Sequence, residues 1–73
     1  MKQILVIAGT YTQFEQWRSS NGYDHTQVKY VHDMKQVMGR RGGEIKLVGT
    51  AYENPLYEKL EQLKQIYGMK VLP

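Results

Sequence analysis

Ile4-Leu5-Val6-Ile7-Ala8-Gly9-Thr10 decides the fold of this chain: it is an unbroken apolar run that ends at a glycine and a helix-capping threonine. The pattern recurs, imperfectly, as Ile45-Lys46-Leu47-Val48-Gly49-Thr50. Continuous apolar runs rich in β-branched residues are typical of strands buried on both faces, and parallel α/β sheets are built from such strands. We therefore expect a parallel sheet with residues 2–8 as its central strand.

Three further segments complete the predicted sheet. Residues 28–32 have the mixed pattern of a less buried strand, Glu44–Val48 is the third strand, and residues 69–72 are either a short edge strand or a packed tail. Because crossover connections are right-handed and the first strand is the most apolar, the expected strand order is 2-1-3, or 2-1-3-4 if the tail pairs. The predicted fold class is α/β, a small βαβαβα arrangement of two or three layers, with residues 1–73 as a single domain.

Capping signals place the first helix after the central strand. Thr10 with Gln13, and Thr12 with Glu15, both have the spacing of a capping box, so the helix begins at one of these threonines. Residues 19–22 (Ser-Ser-Asn-Gly) end it, since Asn and Gly favour the left-handed cap. One side of this helix carries Tyr11, Phe14, Trp17 and Arg18, of which we expect Phe14 and Trp17 to pack on the sheet.

Two more helices are predicted before and after the third strand. Asp33 caps a short helix that ends at Gly39. Asn54 followed by Pro55 starts the clearest amphipathic helix of the chain, which ends at Gly68. The apolar positions are Met34, Val37 and Met38 in the short helix, and Leu56, Leu60, Leu63 and Tyr67 in the amphipathic one.

Composition limits the kinds of partner and location. Ten Lys and Arg against seven Asp and Glu give a net charge of +3, which attracts acidic partners but is too low for a dedicated nucleic-acid binder. The chain has no cysteine, which fits a reducing cytoplasm. The N-terminal apolar run is too short for a signal peptide or a membrane span. We expect a cytoplasmic monomer that binds neither membranes nor nucleic acid directly.

The residues on which enzymes rely form no recognisable motif. His25 and His32 lack a paired ligand spacing, no serine stands in a GxSxG turn, and HExxH and CxxC are missing. The sequence therefore predicts no catalytic residues, no cofactor and no metal.

The two Gly-Thr corners are the first candidate site. In the predicted strand order, Gly9-Thr10 and Gly49-Thr50 follow neighbouring strands and face each other at the topological switch point, where open α/β sheets bind ligands. Each corner offers backbone N–H groups and a hydroxyl at a helix start, which attract phosphate or carboxylate. A structural reason for these residues also exists, because a strand-to-helix corner needs a glycine and a cap. The glycine-rich nucleotide motifs are missing.

Aromatic and basic side chains are the second candidate site. Six tyrosines, one tryptophan and four methionines exceed what so small a core can absorb, and aromatic, Met and Arg side chains are favoured at protein interfaces. We expect partial exposure of four tyrosines. The predicted partner-binding surface combines three of them with the basic loop at Arg40 and Arg41. The four tyrosines are Tyr11, Tyr23, Tyr52 and Tyr57, and the three in the predicted surface are Tyr11, Tyr52 and Tyr57.

The segments ILVIAGTYTQFEQW, the Tyr-Val strand, Gly-Arg-Arg before the third strand and LVGTAYENP after it resemble short phage-encoded α/β proteins. By size and class the chain is also similar to small phage regulators of host RNA polymerase. This resemblance implies a protein of the host bacterial cytoplasm that binds RNA polymerase and inhibits initiation, acts as an antiterminator, or does both. The alternative is a minimal nucleotide- or anion-binding domain that uses the crevice between the two Gly-Thr corners.

Overall fold

The computed structural model describes residues 3–40 and 42–73. Its strands form one parallel sheet in the order β2-β1-β3-β4, so the predicted fold and the predicted strand order are confirmed, including the fourth strand. The start of the first strand at Lys2 lies outside the described residues. The strands are β1 (Ile4–Ala8), β2 (Val28–Tyr30), β3 (Glu44–Val48) and β4 (Lys70–Val71).

The central strand β1 is buried on both faces, as its composition predicts. Leu5 and Ile7 belong to the core on one face of the sheet, whereas Val6 and Ala8 belong to the core on the other. All four side chains are at most 3% exposed. The two faces follow from the period of two along a strand.

One face is covered by helix α1 (Tyr11–Ser20), whose Phe14 packs against Val6, Ala8 and Val28. Of the two predicted start positions the structure has the first, since the Thr10 hydroxyl accepts a hydrogen bond from the Gln13 backbone N–H at 3.2 Å. The helix ends within the predicted residues, with Asn21 as its C-cap, and the predicted left-handed conformation occurs at Gly22, whose φ is +72°.

The other face is covered by three 3₁₀ helices, one of which spans Ala51–Glu53, and by a short α-helix. The predicted helix after β2 is wrong in type and length: it is one 3₁₀ turn (Met34–Gln36), although Asp33 caps it with a complete capping box. Val37 already ends the turn and is fully buried, which leaves Met38 pointing away from the core with 64% of its surface exposed. The expectation that Met38 belongs to an apolar packing face is therefore also wrong.

The amphipathic segment begins at the predicted Asn54-Pro55 but is not α-helical throughout. Its first five residues form a 3₁₀ helix (Pro55–Lys59), and the α-helix α2 spans only Leu60–Gln65. Because the segment changes from 3₁₀ to α geometry after Lys59, the later side chains point in other directions than they would in a continuous α-helix. Leu56 and Leu63 are buried, whereas Leu60 is only partly buried and Tyr67 lies beyond the end of α2.

Candidate functional site

The two Gly-Thr corners lie side by side, and the side chain of Gln13 joins them. Its amide oxygen accepts hydrogen bonds from the backbone N–H of Gly9 and from that of Thr50, each at 3.0 Å. Its amide nitrogen donates to the Thr50 hydroxyl at 2.9 Å. A single side chain of α1 thus binds the corners that follow β1 and β3.

Both glycines are required by this arrangement. A Cβ on Gly9 would lie 2.0 Å from the Thr50 hydroxyl oxygen and 2.6 Å from the Thr50 carbonyl oxygen. A Cβ on Gly49 would lie 2.4 Å from the amide oxygen of Gln13, and the φ of Gly49 is +57°. A side chain at Gly9 would have to displace the Thr50 backbone, whereas one at Gly49 would displace the Gln13 side chain and strain the left-handed backbone.

The groups proposed to attract an anion therefore have partners within the protein. The N–H groups of Gly9 and Thr50 converge on one oxygen atom, as they would on a phosphate oxygen, but that oxygen belongs to Gln13. The hydroxyl of Thr10 caps α1. Gly49 supplies a left-handed turn rather than a side chain. A ligand at this crevice has to displace the Gln13 side chain first.

Asn54 ties together the carboxyl ends of β1 and β2. It is 2% exposed, and its amide nitrogen donates to the carbonyl oxygens of Ala8 at 2.8 Å and Val31 at 2.9 Å. Its amide oxygen accepts from the Leu56 N–H at 2.9 Å, which is the capping bond that the sequence predicts. Nothing in the sequence around Asn54 predicts its hydrogen bonds to Ala8 and Val31. Buried amides of this kind are costly to leave unpaired, so the bonds fix the position of the 3₁₀ helix that follows.

Three of the four candidate tyrosines are exposed near the carboxyl end of the sheet. Tyr11, Tyr52 and Tyr57 are 56%, 68% and 41% exposed. They belong to the segments that follow β1 and β3. Tyr23 differs, because it is partly buried and its ring stacks on Trp17 with the ring centres 5.2 Å apart.

Tyr11 is held in place by neighbouring rings. Its ring centre lies 5.7 Å from that of Phe14 and 5.7 Å from that of Tyr30, which it meets edge-on. Tyr30 in turn lies 5.5 Å from the His32 ring. Such offset and edge-on pairs restrict the rings, so part of the aromatic surface is ordered before any partner binds.

Arg40 lies toward the other end of the sheet. Arg40 donates from Nε to the Gln36 carbonyl oxygen at 3.2 Å, and Gly42 N–H donates to the Tyr67 carbonyl oxygen at 2.7 Å. This loop enters β3 at its amino end, whereas the exposed tyrosines follow the carboxyl ends of strands. The structure thus does not bring Arg40 together with the tyrosines. Arg41 lies outside the described residues.

A charged cluster occupies the outer side of α1. The Glu15 carboxylate accepts two hydrogen bonds from the Arg18 guanidinium, at 3.0 and 3.2 Å, and lies 3.1 Å from the His25 Nε2. Arg18 also donates to the Tyr23 carbonyl oxygen at 2.7 Å. The hydrogen bonds from Arg18 lower the pKa of Glu15 to about 2. The cluster connects α1 to the loop that leads into β2.

Among residues 3–40 and 42–73, no three His, Cys, Asp or Glu side chains are grouped so that they could hold a metal ion. None of the helices in these same ranges has the length and apolar character needed to cross a bilayer. Comparisons with protein-family models, with curated proteins and with solved structures find no significant match to this chain.

Proposed function

We propose that this protein is a non-enzymatic binding module that docks on bacterial RNA polymerase, where it inhibits initiation, acts as an antiterminator, or does both. The observation that carries the proposal is the exposure of Tyr11, Tyr52 and Tyr57 near one end of the sheet. Large aromatic side chains that a fold leaves in water are the anchors that protein interfaces use most.

The surroundings of these tyrosines favour binding over catalysis. The polar groups at the switch point bond to Gln13 and Asn54 instead of pointing outward. These hydrogen bonds hold the backbone at this end of the sheet, and the segments around it carry the exposed rings of Tyr11, Tyr52 and Tyr57. Binding of a partner to such a surface is favourable, because it removes the aromatic rings from water.

Two arguments favour RNA polymerase as the partner. The sequence segments resemble phage-encoded proteins, and the similarity in size and class to phage regulators of host polymerase favours a target in the host transcription machinery. The net charge of +3 favours association with large acidic assemblies. Arg40, at the far end of the sheet, contributes to this attraction over a distance and not to the aromatic contact.

In vitro transcription with purified bacterial polymerase tests the proposal. We expect the wild-type protein to change initiation or terminator read-through, and Tyr52→Ser to weaken the effect about tenfold, the usual loss for an aromatic anchor. The matched control is Ile66→Ser, an equally exposed apolar side chain that lies elsewhere. Unchanged transcripts at a large molar excess of wild-type protein would remove polymerase as the target.

The anion-binding alternative is tested by melting the protein with inorganic phosphate and with a nucleoside triphosphate. A ligand of the crevice has to replace the Gln13 oxygen on the Gly9 and Thr50 N–H groups. Gln13→Ala should then bind the anion more tightly than the wild type does. A rise in melting temperature with either compound, larger in this variant, would favour the alternative over the binding module.

A further inference from the structure

A small cleft lies at the carboxyl end of β2, on the face of the sheet opposite α1. One wall is the chain that follows β2, and the other is the 3₁₀ helix Pro55–Lys59. The volume of the cleft is about 420 Å³, within the range of small-molecule sites. Open α/β sheets bind ligands at this end of their strands. The cleft is lined by His32, Asp33, Met34, Pro55, Leu56 and Lys59.

Asn54 holds the two walls together at their base. Its amide nitrogen donates to the carbonyl oxygen of Val31, directly before the first wall, at 2.9 Å. Its amide oxygen accepts from the N–H of Leu56, in the second wall, at 2.9 Å. Because a buried amide is costly to leave unpaired, these bonds keep the two walls in fixed positions, and a ligand meets a preorganised site.

The carboxylate of Asp33 is held in place on the first wall. It accepts the Lys35 backbone N–H at 3.0 Å. The side-chain oxygen of Gln36 accepts from the backbone N–H of Asp33 at 3.1 Å and from that of His32 at 2.7 Å. A carboxylate offers roughly four acceptor positions, so its capping role leaves positions for the ammonium group of a ligand.

A charge of the opposite sign lines the second wall. This charge is the ammonium group of Lys59, at the end of the 3₁₀ helix. Lys59 and Asp33 line the same cleft, yet the two side chains are not within ion-pair distance of each other. A ligand that carries both an ammonium group and a carboxylate would complement this pair of charges.

The remaining surface of the cleft is mostly apolar. Leu56 is 1% exposed, and Met34 packs against the same core cluster. The flexible thioether of Met34 adapts to apolar groups of different shape. The His32 ring, which also lines the cleft, is kept close to the Tyr30 ring, with the ring centres 5.5 Å apart. The complementary ligand therefore has an apolar part beside its two charges.

We propose that this cleft binds a free amino acid with an apolar side chain. The ammonium group of the ligand pairs with Asp33, its carboxylate pairs with Lys59, and its side chain packs on Met34 and Leu56. A nucleotide carries only negative charge on its phosphates and would bring them near Asp33, so the cleft disfavours it. The proposal does not depend on the tyrosine surface, on polymerase or on the crevice between the Gly-Thr corners.

An NMR titration of the isotope-labelled full chain with leucine tests the proposal. Three further probes each lack one group: leucinamide lacks the carboxylate, isocaproate lacks the ammonium group, and glycine lacks the apolar side chain. We expect saturable amide shifts at Asp33, Met34 and Lys59 with leucine. Each of the three other probes should bind about tenfold more weakly, the usual effect of losing one charged hydrogen bond or one buried side chain.

Two variants assign the charges of the ligand to the walls. Asp33→Asn keeps a capping side chain but removes its charge, so it should bind leucine about tenfold more weakly and no longer prefer leucine to isocaproate. Lys59→Gln should no longer prefer leucine to leucinamide. Lys35→Gln is the matched control, since Lys35 is exposed on the first wall's own 3₁₀ turn but does not line the cleft. It should bind leucine as the wild type does.

Three outcomes would overturn the proposal. The absence of saturable shifts up to millimolar leucine would show that the cleft binds no amino acid. Equal binding of leucine and any one of the three other probes would show that the missing group is not recognised. Shifts confined to Gly9 and Thr50 would place the ligand in the crevice between the Gly-Thr corners instead.

Discussion

The amide oxygen of Gln13 lies 3.0 Å from the backbone nitrogen of Thr50, 37 residues further along the chain. The same oxygen accepts from Gly9, so one atom of α1 joins the ends of two neighbouring strands. Loss of this atom would leave two partly buried N–H groups without their partner.

Gln13→Ala should therefore destabilise the protein by about 1–3 kcal/mol, the usual penalty for unpaired buried donors. Gln16→Ala is the matched control, because Gln16 is an exposed glutamine of the same helix. Urea unfolding measures both. If Gln13→Ala lowers the free energy of unfolding no more than the control does, water replaces the Gln13 oxygen without penalty.

Gly9→Ala should be far more damaging than an ordinary glycine substitution. The new methyl group would overlap both the hydroxyl and the carbonyl oxygen of Thr50, and the carbonyl belongs to the backbone. Gly22→Ala is the comparison: its φ is +72° but nothing lies within 4 Å, so only a conformational cost of about 1–2 kcal/mol applies. If both variants show similar melting temperatures, the close approach of the two corners is not as tight as described.

Leu63→Ala should cost about 2–5 kcal/mol, since Leu63 is fully buried in the core below α2. Leu60→Ala should cost less, because Leu60 is only partly buried. Chemical denaturation of the two variants tests whether the change from 3₁₀ to α geometry has rotated Leu60 outward. An equal loss in both would support the continuous α-helix that the sequence predicts.

The Glu15 cluster gives a pH dependence with a definite sign. Because Arg18 lowers the pKa of Glu15 from 4.5 to about 2, the ionised carboxylate stabilises the folded state above the unfolded pKa. This contribution is lost as the pH falls from 4.5, the unfolded pKa of Glu15, to its folded pKa of about 2. Acid titration of Glu15→Gln should therefore show a shallower loss of stability there than the wild type.

Glu58→Gln removes an exposed carboxylate elsewhere and controls for overall charge in this titration. The stability of this variant should fall with decreasing pH in the same way as that of the wild type. If the wild type and Glu15→Gln lose stability identically at low pH, the ion pair between Glu15 and Arg18 does not persist in solution.

The fold could be predicted from the sequence because its strongest signals are local. The apolar run of β1 and the cap at Thr10 each depend on neighbouring residues, and both are observed. The choice between 3₁₀ and α geometry after Pro55 depends on packing against the sheet, which local propensity does not contain.

The candidate site was predicted less well, for two different reasons. The bond from Gln13 to Thr50 joins distant positions, so the capping spacing revealed the residue but not its second role. The separation of Arg40 from the tyrosines was accessible in principle. In a parallel sheet, a loop that precedes a strand and a corner that follows one lie at opposite ends.

The position of β1 in the chain has a consequence for synthesis on the ribosome. The most apolar strand is made before the strands that flank it, since Ile4 pairs with Val28 and Glu44, which emerge later. Until β3 leaves the exit tunnel, one edge of β1 and its apolar faces have no permanent partner, and a nascent chain in this state is prone to aggregation or chaperone capture. This interval ends soon after Val48, the last residue of β3, has been made.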